Sequence, residues 1–313
     1  MAKVQGPDIE AGLAHLGASD SRERIISAED SYLDACLKTL EVKDGPLRYI
    51  KSEFVALTMK SLYRDKSLNQ CKAAAYNAAV ADRMVLQEKP YPRGSAYSHK
   101  LLCPLLSDNK EIIHWYGQFF LPTLQLDFKK QPAYQVPCHT EHYTVQMGHA
   151  ILGNWQQLAD NCELALAESP KKRKLFQIDY AFLYALAKGD VPAMESALAE
   201  LVTPKVRVNR QKELGFGLTE KLMYGWGIIL AKLAWYHGYE VDVDSPWVPK
   251  ELLPFKPLPD SEYRSGIDFM DEFDIFMPFK DDESKWCKNA SEFSPKPLGE
   301  YIDINSLASR VKI

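Results

Sequence analysis

The 313-residue sequence lacks the motifs that mark most enzymes, membrane proteins and secreted proteins. It contains no GxSxG, P-loop, GxGxxG or HExxH pattern, so the common nucleophilic, phosphate-binding and zinc chemistries have no sequence support. No apolar run reaches the length of a membrane span, and the mean hydropathy is −0.29. The first residues, MAKVQGPDIEAGLAHL, lack the basic start and apolar stretch of a secretory signal. We therefore expect a cytoplasmic protein that has no membrane contact, no catalytic residues and no cofactor.

Cysteine is also sparse, and no two cysteines form a CxxC pair. A reducing cytosol disfavours disulfides, so we expect most of the thiols to be small buried apolar groups. The six are Cys36, Cys71, Cys103, Cys138, Cys162 and Cys287.

Charge is unevenly distributed along the chain. Residues 241–313 hold fifteen acidic and nine basic side chains, a net charge of −6, whereas the first 240 residues carry a net charge of +2. Eight of the nineteen prolines also fall after residue 240. This shift in composition predicts a helical body over residues 1–259 and an acidic, proline- and aromatic-rich segment over residues 260–313 that packs on it.

Helical periodicity dominates the first part of the chain and predicts an all-α fold of antiparallel helix pairs. Ser27-Ala28-Glu29-Asp30 resembles a capping box, and Ser67 and Ser107-Asp108 are typical helix starts. Leu218 to Tyr236 carries a wide apolar face and predicts a central helix. Gly225 and Gly227 within it indicate either close approach of another helix or a kink.

A weak internal repeat of period thirty-six aligns His149–Leu166 with Ala185–Val202. In each copy a helix ends at glycine, Gly153 or Gly189, and Asn154 or Asp190 follows as the cap of a second helix. The period is close to that of tetratricopeptide-type hairpins, but two copies do not make a solenoid, and two ordinary antiparallel helix pairs are the preferred interpretation.

The best metal candidate is Cys138-His139-Thr140-Glu141-His142, because its two histidines would share one helical face. No second Cys/His pair stands at zinc-finger spacing, so these histidines are better explained as hydrogen-bonded structural groups. The carboxylates between Asp268 and Asp274 resemble divalent-cation ligands, but the aromatics among them argue against a metal cage. We expect no bound metal.

Residues 267–283, IDFMDEFDIFMPFKDDE, combine seven acids with aromatics and methionine. Interface cores favour such apolar residues, and surrounding charges steer a partner of opposite sign. The alternative is a segment whose aromatics pack on the body while its acids face water, and the two roles are compatible. The predicted partner-binding residues are Asp268, Asp271, Glu272, Phe273, Asp274, Phe276, Asp281 and Asp282.

Two basic runs, Lys171–Lys174 and Lys205–Lys212, raise the possibility of nucleic-acid binding. The chain has a pI of about 6.0 and no recognised nucleic-acid module, so solvated loops between helices are the preferred interpretation. We expect no direct nucleic-acid partner.

The stretch from Leu218 to Pro254 resembles the immunity protein 49 family. LAWYHGYEVDVDSPWVPKELL, from Leu233 to Leu253, has the pattern of an apolar helix, a glycine break, an alternating hydrophobic and acidic run, and Ser-Pro before a second proline. The resemblance implies a mostly helical, non-enzymatic cytosolic inhibitor that neutralises a secreted antibacterial toxin, with that toxin as its partner. The alternatives are a helical-repeat scaffold or adaptor, and a metal-dependent hydrolase built on His139 and His142. The oligomeric state has no signature in the sequence.

Overall fold

The computed structural model describes residues 6–17, 21–39, 44–88, 97–120, 137, 140–167, 176–213 and 216–276. The fold is all-α, as predicted, and these ranges contain no strand. The chain forms two compact units: the first comprises residues 1–15 and 93–257, and the second comprises residues 16–92 and 258–313. The boundary expected between residues 259 and 260 stays a prediction.

The helices of the described residues follow in chain order. The first unit holds α1 (Ile9–His15), α5 (Leu102–Ser107), α6 (Lys110–Phe120), α7 (Thr140–Leu152), α8 (Trp155–Ala167), α9 (Gln177–Lys188), α10 (Val191–Leu201), α11 (Pro204–Glu213) and α12 (Gly225–Tyr236). The second unit holds α2 (Ser21–Thr39), α3 (Asp44–Tyr63), α4 (Leu68–Glu88) and α13 (Asp268–Asp271). Short 3-10 helices lie at Tyr97–Leu101, Gly217–Thr219, Lys250–Leu252 and Asp260–Tyr263.

The second unit is built on α2, α3 and α4, each of which packs against the next. Five of the six alanines of α4 are buried, and their small side chains allow close packing of α4 on α3. Ser67 caps α4, since its hydroxyl oxygen accepts the Gln70 N–H at 3.4 Å. The capping box predicted at Ser27 is wrong, because α2 begins at Ser21 and runs through it.

The chain returns to the second unit through Leu258 and follows α4. The Asn77 amide donates to the Tyr263 carbonyl at 2.9 Å, and the ring centroids of Tyr76 and Tyr263 lie 4.8 Å apart. Farther along α4, the Arg83 Nε donates to the Ile275 carbonyl at 3.0 Å. Buried polar side chains of α4 therefore hold the backbone of the acidic segment at two of its carbonyl groups.

The core helix of the first unit is α12, whose residues from Gly225 to Ala234 are all buried. It begins at Gly225 and not at Leu218, so the predicted helix was too long. Its two glycines leave room for neighbouring side chains. A Cβ at Gly225 would lie 2.7 Å from the ring of Phe216, and one at Gly227 would lie 2.9 Å from Val248. The close approach is made by side chains of flanking segments and not by another helix.

The predicted repeat forms two consecutive helix pairs, α7–α8 and α9–α10, and α9 also packs on α8. Gly153 and Gly189 both have positive φ, at 70° and 68°, and they end the first helix of each pair as predicted. The two caps differ. Asp190 Oδ1 accepts the Ala193 N–H at 3.0 Å, whereas the Asn154 amide lies 3.2 Å from His149 Nδ1. Only the second copy therefore has the expected side-chain cap.

This difference between the repeats predicts unequal effects of alanine. Asp190→Ala should lower the free energy of unfolding by about 1 kcal/mol, because the Ala193 N–H loses its acceptor. Asn154→Ala is the matched control, and we expect a clearly smaller loss. Urea denaturation of both variants measures the difference, and equal losses would mean that the Asp190 carboxylate does not act as a cap.

After α12 the chain is extended and follows the predicted alternation. Val241 and Val243 are buried, whereas Asp242 and Asp244 are exposed. The Tyr224 N–H donates to the Trp247 carbonyl at 2.8 Å, which fixes the run beside the start of α12. A 3-10 turn at Lys250–Leu252 follows Pro249.

Candidate interaction surface

The candidate surface is built from the loop 264–267, α13 and residues 272–276, all in the second unit. Asp271 holds the loop in place through its carboxylate. It accepts the Ser265 N–H at 2.6 Å, the Ser265 hydroxyl at 2.7 Å and the Gly266 N–H at 3.1 Å. Gly266 has a φ of 78°, a conformation that suits glycine. Asp271 is thus a structural residue of this surface as well as an exposed acid.

Burial along this segment separates its apolar and acidic side chains. Asp268, Asp271, Glu272 and Asp274 are exposed, and the Asp274 carboxylate accepts the Phe276 N–H at 2.8 Å. The apolar residues between them are buried; they are Phe269, Met270, Phe273 and Ile275. The alternation produces an acidic face that is anchored from beneath by an apolar one.

The two predicted aromatic anchors face opposite ways. Phe273 is buried, and the Arg83 guanidinium carbon lies 5.6 Å from its ring centroid, so this ring belongs to the core of the second unit. Phe276 is 40% exposed and is available on the acidic face. Asp281 and Asp282, the other predicted contact residues, lie outside the described residues.

Helix α2 adds two acids that the sequence interpretation missed. Burial raises the pKa of the Glu29 carboxyl, and the negative charges of Asp30 and Asp268 raise it further. Glu29 is half-buried and Asp30 is exposed, so the acidic face continues from α13 onto α2. More than two hundred residues separate these acids in the chain, and no local pattern could have joined them.

The residues of the metal hypothesis lie elsewhere. His142 is buried in the first unit, where its Nδ1 lies 2.8 Å from the Tyr180 hydroxyl and its Nε2 lies 3.4 Å from the Gln146 amide. Cys138 and His139 fall outside the described residues. Within the part of the chain that the structure describes, no group of three or more His, Cys, Asp or Glu is arranged to hold a metal ion.

The first unit contains a buried polar network instead. Arg210 of α11 pairs with Asp179 of α9 at 2.7 Å, and both side chains are completely buried. The Tyr143 hydroxyl donates to the same Asp179 oxygen at 3.0 Å. The Arg210 guanidinium carbon lies 4.6 Å from the ring centroid of Phe176 and 4.7 Å from that of Trp226. The network joins α7, α9, α11 and α12. It is a buried structural centre that a ligand cannot reach.

This network corrects the interpretation of the second basic run. Lys205–Lys212 was expected to be a solvated loop, but the run lies within α11. Arg210 is buried in the ion pair, and the Arg207 guanidinium carbon stacks 3.8 Å from the ring centroid of Trp247. The first run, Lys171–Lys174, lies outside the described residues.

The fold and its sites define an all-α protein with consecutive helix pairs, a buried ion-pair centre and an acidic exposed face. Residues 141–252 match the family described as immunity protein 49, which confirms the resemblance inferred from the sequence over this part of the chain. The matched range contains both helix pairs of the repeat, the buried network and α12. No curated protein and no solved structure matches the chain.

Among the residues that the structure describes, none of the helices is long and apolar enough to cross a bilayer.

Proposed function

We propose that this chain is a non-enzymatic immunity protein that binds a cognate antibacterial toxin in the cytosol and blocks its activity. The match of residues 141–252 to the immunity protein 49 family is the observation that carries the proposal. The network in that range is completely buried, so it offers a substrate no site.

The direct test is co-expression with candidate toxins encoded beside the gene of this chain. The proposal predicts that the chain restores growth to cells that produce one of these toxins, and that the two proteins co-purify in a fixed stoichiometry. A scaffold or adaptor of another pathway would restore growth against none of them, and that outcome would refute the immunity function.

The acidic face of the second unit is our proposal for the toxin-facing surface. It comprises Asp268, Asp271, Glu272, Asp274 and Phe276 of the predicted set, together with Glu29 and Asp30 of α2. Toxins that act on nucleic acids or nucleotides hold phosphate groups in a basic cleft. An acidic surface can occupy such a cleft, and opposite charge accelerates the encounter of the two proteins. Phe276 would supply an apolar anchor beside the charges.

Charge neutralisation tests this surface without disturbing the loop that Asp271 holds. We expect the quadruple variant Glu29→Gln, Asp30→Asn, Asp268→Asn and Glu272→Gln to bind the toxin about tenfold or more slowly at low salt, because electrostatic steering is lost. The on-rate of the variant should also depend much less on ionic strength. Surface plasmon resonance at several salt concentrations measures both quantities.

A matched control neutralises four exposed acids of the first unit: Glu163, Glu200, Glu240 and Glu251, each changed to Gln. Both quadruple variants change the net charge by the same amount, so a difference between them reports the position of the charges. Equal slowing in the two variants would show that overall charge, and not this face, steers the toxin. An unchanged on-rate in the first variant would move the interface away from the second unit.

A further inference from the structure

The second unit contains a cavity of about 370 Å³ beside the acidic face. It lies among α2, α3, α4 and the loop 264–267, and all of its lining residues belong to this one unit. Its volume is at the lower end of the range of ligand-binding clefts. The acidic face borders it, because the Asp271 carboxylate holds Ser265 and Gly266, which form part of the wall.

The walls of the cavity are mostly apolar. Ile25, Phe54 and Ala74 contribute buried side chains, and Leu57 is half-buried. Ile26 also lines the cavity and is 59% exposed, which is unusual for a large aliphatic residue. An exposed isoleucine next to an apolar recess favours coverage by another protein, since a small molecule inside the recess would leave it in water.

Charges of both signs surround the recess and constrain its occupant. Arg22 and Arg264 line it, as does Glu29, whose carboxyl is influenced by the nearby Asp268. A cation would meet the two guanidinium groups, and an anion would meet the carboxylates. The lining therefore favours a neutral group, and guanidinium groups pack well against the faces of aromatic rings.

One buried polar atom makes the cavity more suitable for a phenol than for an aromatic hydrocarbon. Ser61 lies in the wall and is completely buried, and its hydroxyl has no hydrogen-bond partner among the described residues. A buried hydroxyl without a partner is destabilising, and a ligand that brings a hydrogen-bonding group to it relieves this cost. The occupant should therefore have an apolar ring and one hydroxyl.

We propose that this cavity receives a tyrosine side chain of the partner toxin, with the ring against Phe54 and Leu57 and the phenol directed toward Ser61. The inference rests on the proposed function for the identity of the partner. Tyrosine is among the residues most enriched at the energetic centres of interfaces. The acidic face would steer the toxin, and the tyrosine would anchor it next to that face.

The cavity is tested first without any toxin. We expect p-cresol, which has the side chain of tyrosine, to bind the full chain saturably and about five- to tenfold more tightly than toluene in ligand-observed NMR titrations. Ser61→Ala should remove this preference for p-cresol. Ala73→Phe, which places a ring at the half-buried lining residue Ala73, should abolish binding of both probes. The control is Ala199→Phe at an exposed position of α10, which should bind like the wild type.

Two results of this titration would overturn the proposal. The first is the absence of saturable p-cresol binding by the wild type. The second is binding that Ala73→Phe leaves unchanged. Ser61→Ala gives an independent readout if Ala73→Phe does not fold, because removal of one hydroxyl oxygen leaves the helix packing intact. An equal preference for p-cresol in Ser61→Ala and the wild type would also overturn the assigned orientation.

The toxin measurement separates this inference from the proposed function. We expect Ala73→Phe to weaken toxin binding at least tenfold and Ala199→Phe to leave it unchanged. If the wild type and Ala73→Phe bind the toxin equally, the immunity function stands and the tyrosine anchor is refuted. If the wild type binds none of the toxins encoded beside its gene, the proposed function fails, and the assignment of the tyrosine to a toxin fails with it.

Discussion

Replacing Arg210 with methionine is expected to lower the free energy of unfolding by about 3–5 kcal/mol. Methionine keeps much of the aliphatic volume between Phe176 and Trp226 but leaves the Asp179 carboxylate buried without its cation. Five of the six tryptophans lie in the first unit, so urea denaturation followed by tryptophan fluorescence reports mainly on the unit that contains the substitution.

The penalty of Arg210→Met should depend on pH in a defined direction. Burial raises the pKa of the Asp179 carboxyl, and Arg210 acts against this rise in the wild type. Without Arg210 the pKa rises further, and the folded variant takes up a proton more readily than the unfolded chain, whose Asp has a pKa of about 3.9. A raised pKa favours folding below the unfolded pKa, and this contribution is lost as the pH rises through the folded pKa. The destabilisation should therefore be smallest near pH 4 and largest near pH 8.

Two companion variants separate charge from packing. Asp179→Ala leaves the guanidinium of Arg210 buried, and a guanidinium does not lose its proton in proteins. The loss of stability in Asp179→Ala should therefore be relieved neither near pH 4 nor near pH 8. The double variant Asp179→Leu with Arg210→Met should be more stable than Arg210→Met alone, because an apolar pair removes the unpaired charge. A double variant that is less stable than Arg210→Met would show that the hydrogen bond from Tyr143 to Asp179 outweighs the cost of burying the carboxylate without its cation.

The helical architecture of this chain was predictable because its signals are local. Ser67 caps α4, and Gly153 and Gly189 end helices, since a hydroxyl oxygen or a missing Cβ acts within a few residues of its position. The same local reasoning failed at Ser27, where a capping pattern lies inside α2. Because α2 packs on α3, the helix begins before the position at which the local cap would have started it.

Features that depend on distant residues were not predictable. The basic composition of Lys205–Lys212 indicated a solvated loop, but Arg210 is buried because Asp179, thirty-one positions earlier, neutralises it. The candidate surface was predicted only in its continuous part, from Asp268 to Phe276. Glu29 and Asp30 join it through tertiary packing, and the buried ring of Phe273 lies against Arg83 of α4. Hydrophobicity alone does not specify which of two phenylalanines in a segment faces the core.

The second large effect is expected for Asp108→Asn, which should lower the free energy of unfolding of the first unit by about 3–5 kcal/mol. Asp108 pairs with Lys232 of α12, and both side chains are completely buried. Its other carboxylate oxygen accepts the Lys256 N–H at 3.1 Å. Asparagine tolerates the positive φ of 57° at this position and retains an acceptor for that N–H, so the substitution removes the charge and little else.

The pH dependence of Asp108→Asn should be opposite to that of Arg210→Met, because the charged group that stays buried is now an ammonium. A buried lysine without a counter-ion has a depressed pKa, and its neutral form favours folding. The destabilisation should therefore be largest at neutral pH and decline as the pH rises toward the value of about 10.4 at which an unfolded lysine loses its proton. Asp242→Asn is the control, since it breaks an exposed pair with Lys250 at 2.7 Å and should have no measurable effect. Denaturation at pH 7 and pH 9.5 measures both variants, and a penalty for Asp108→Asn that grows with pH would refute the buried, charged pair.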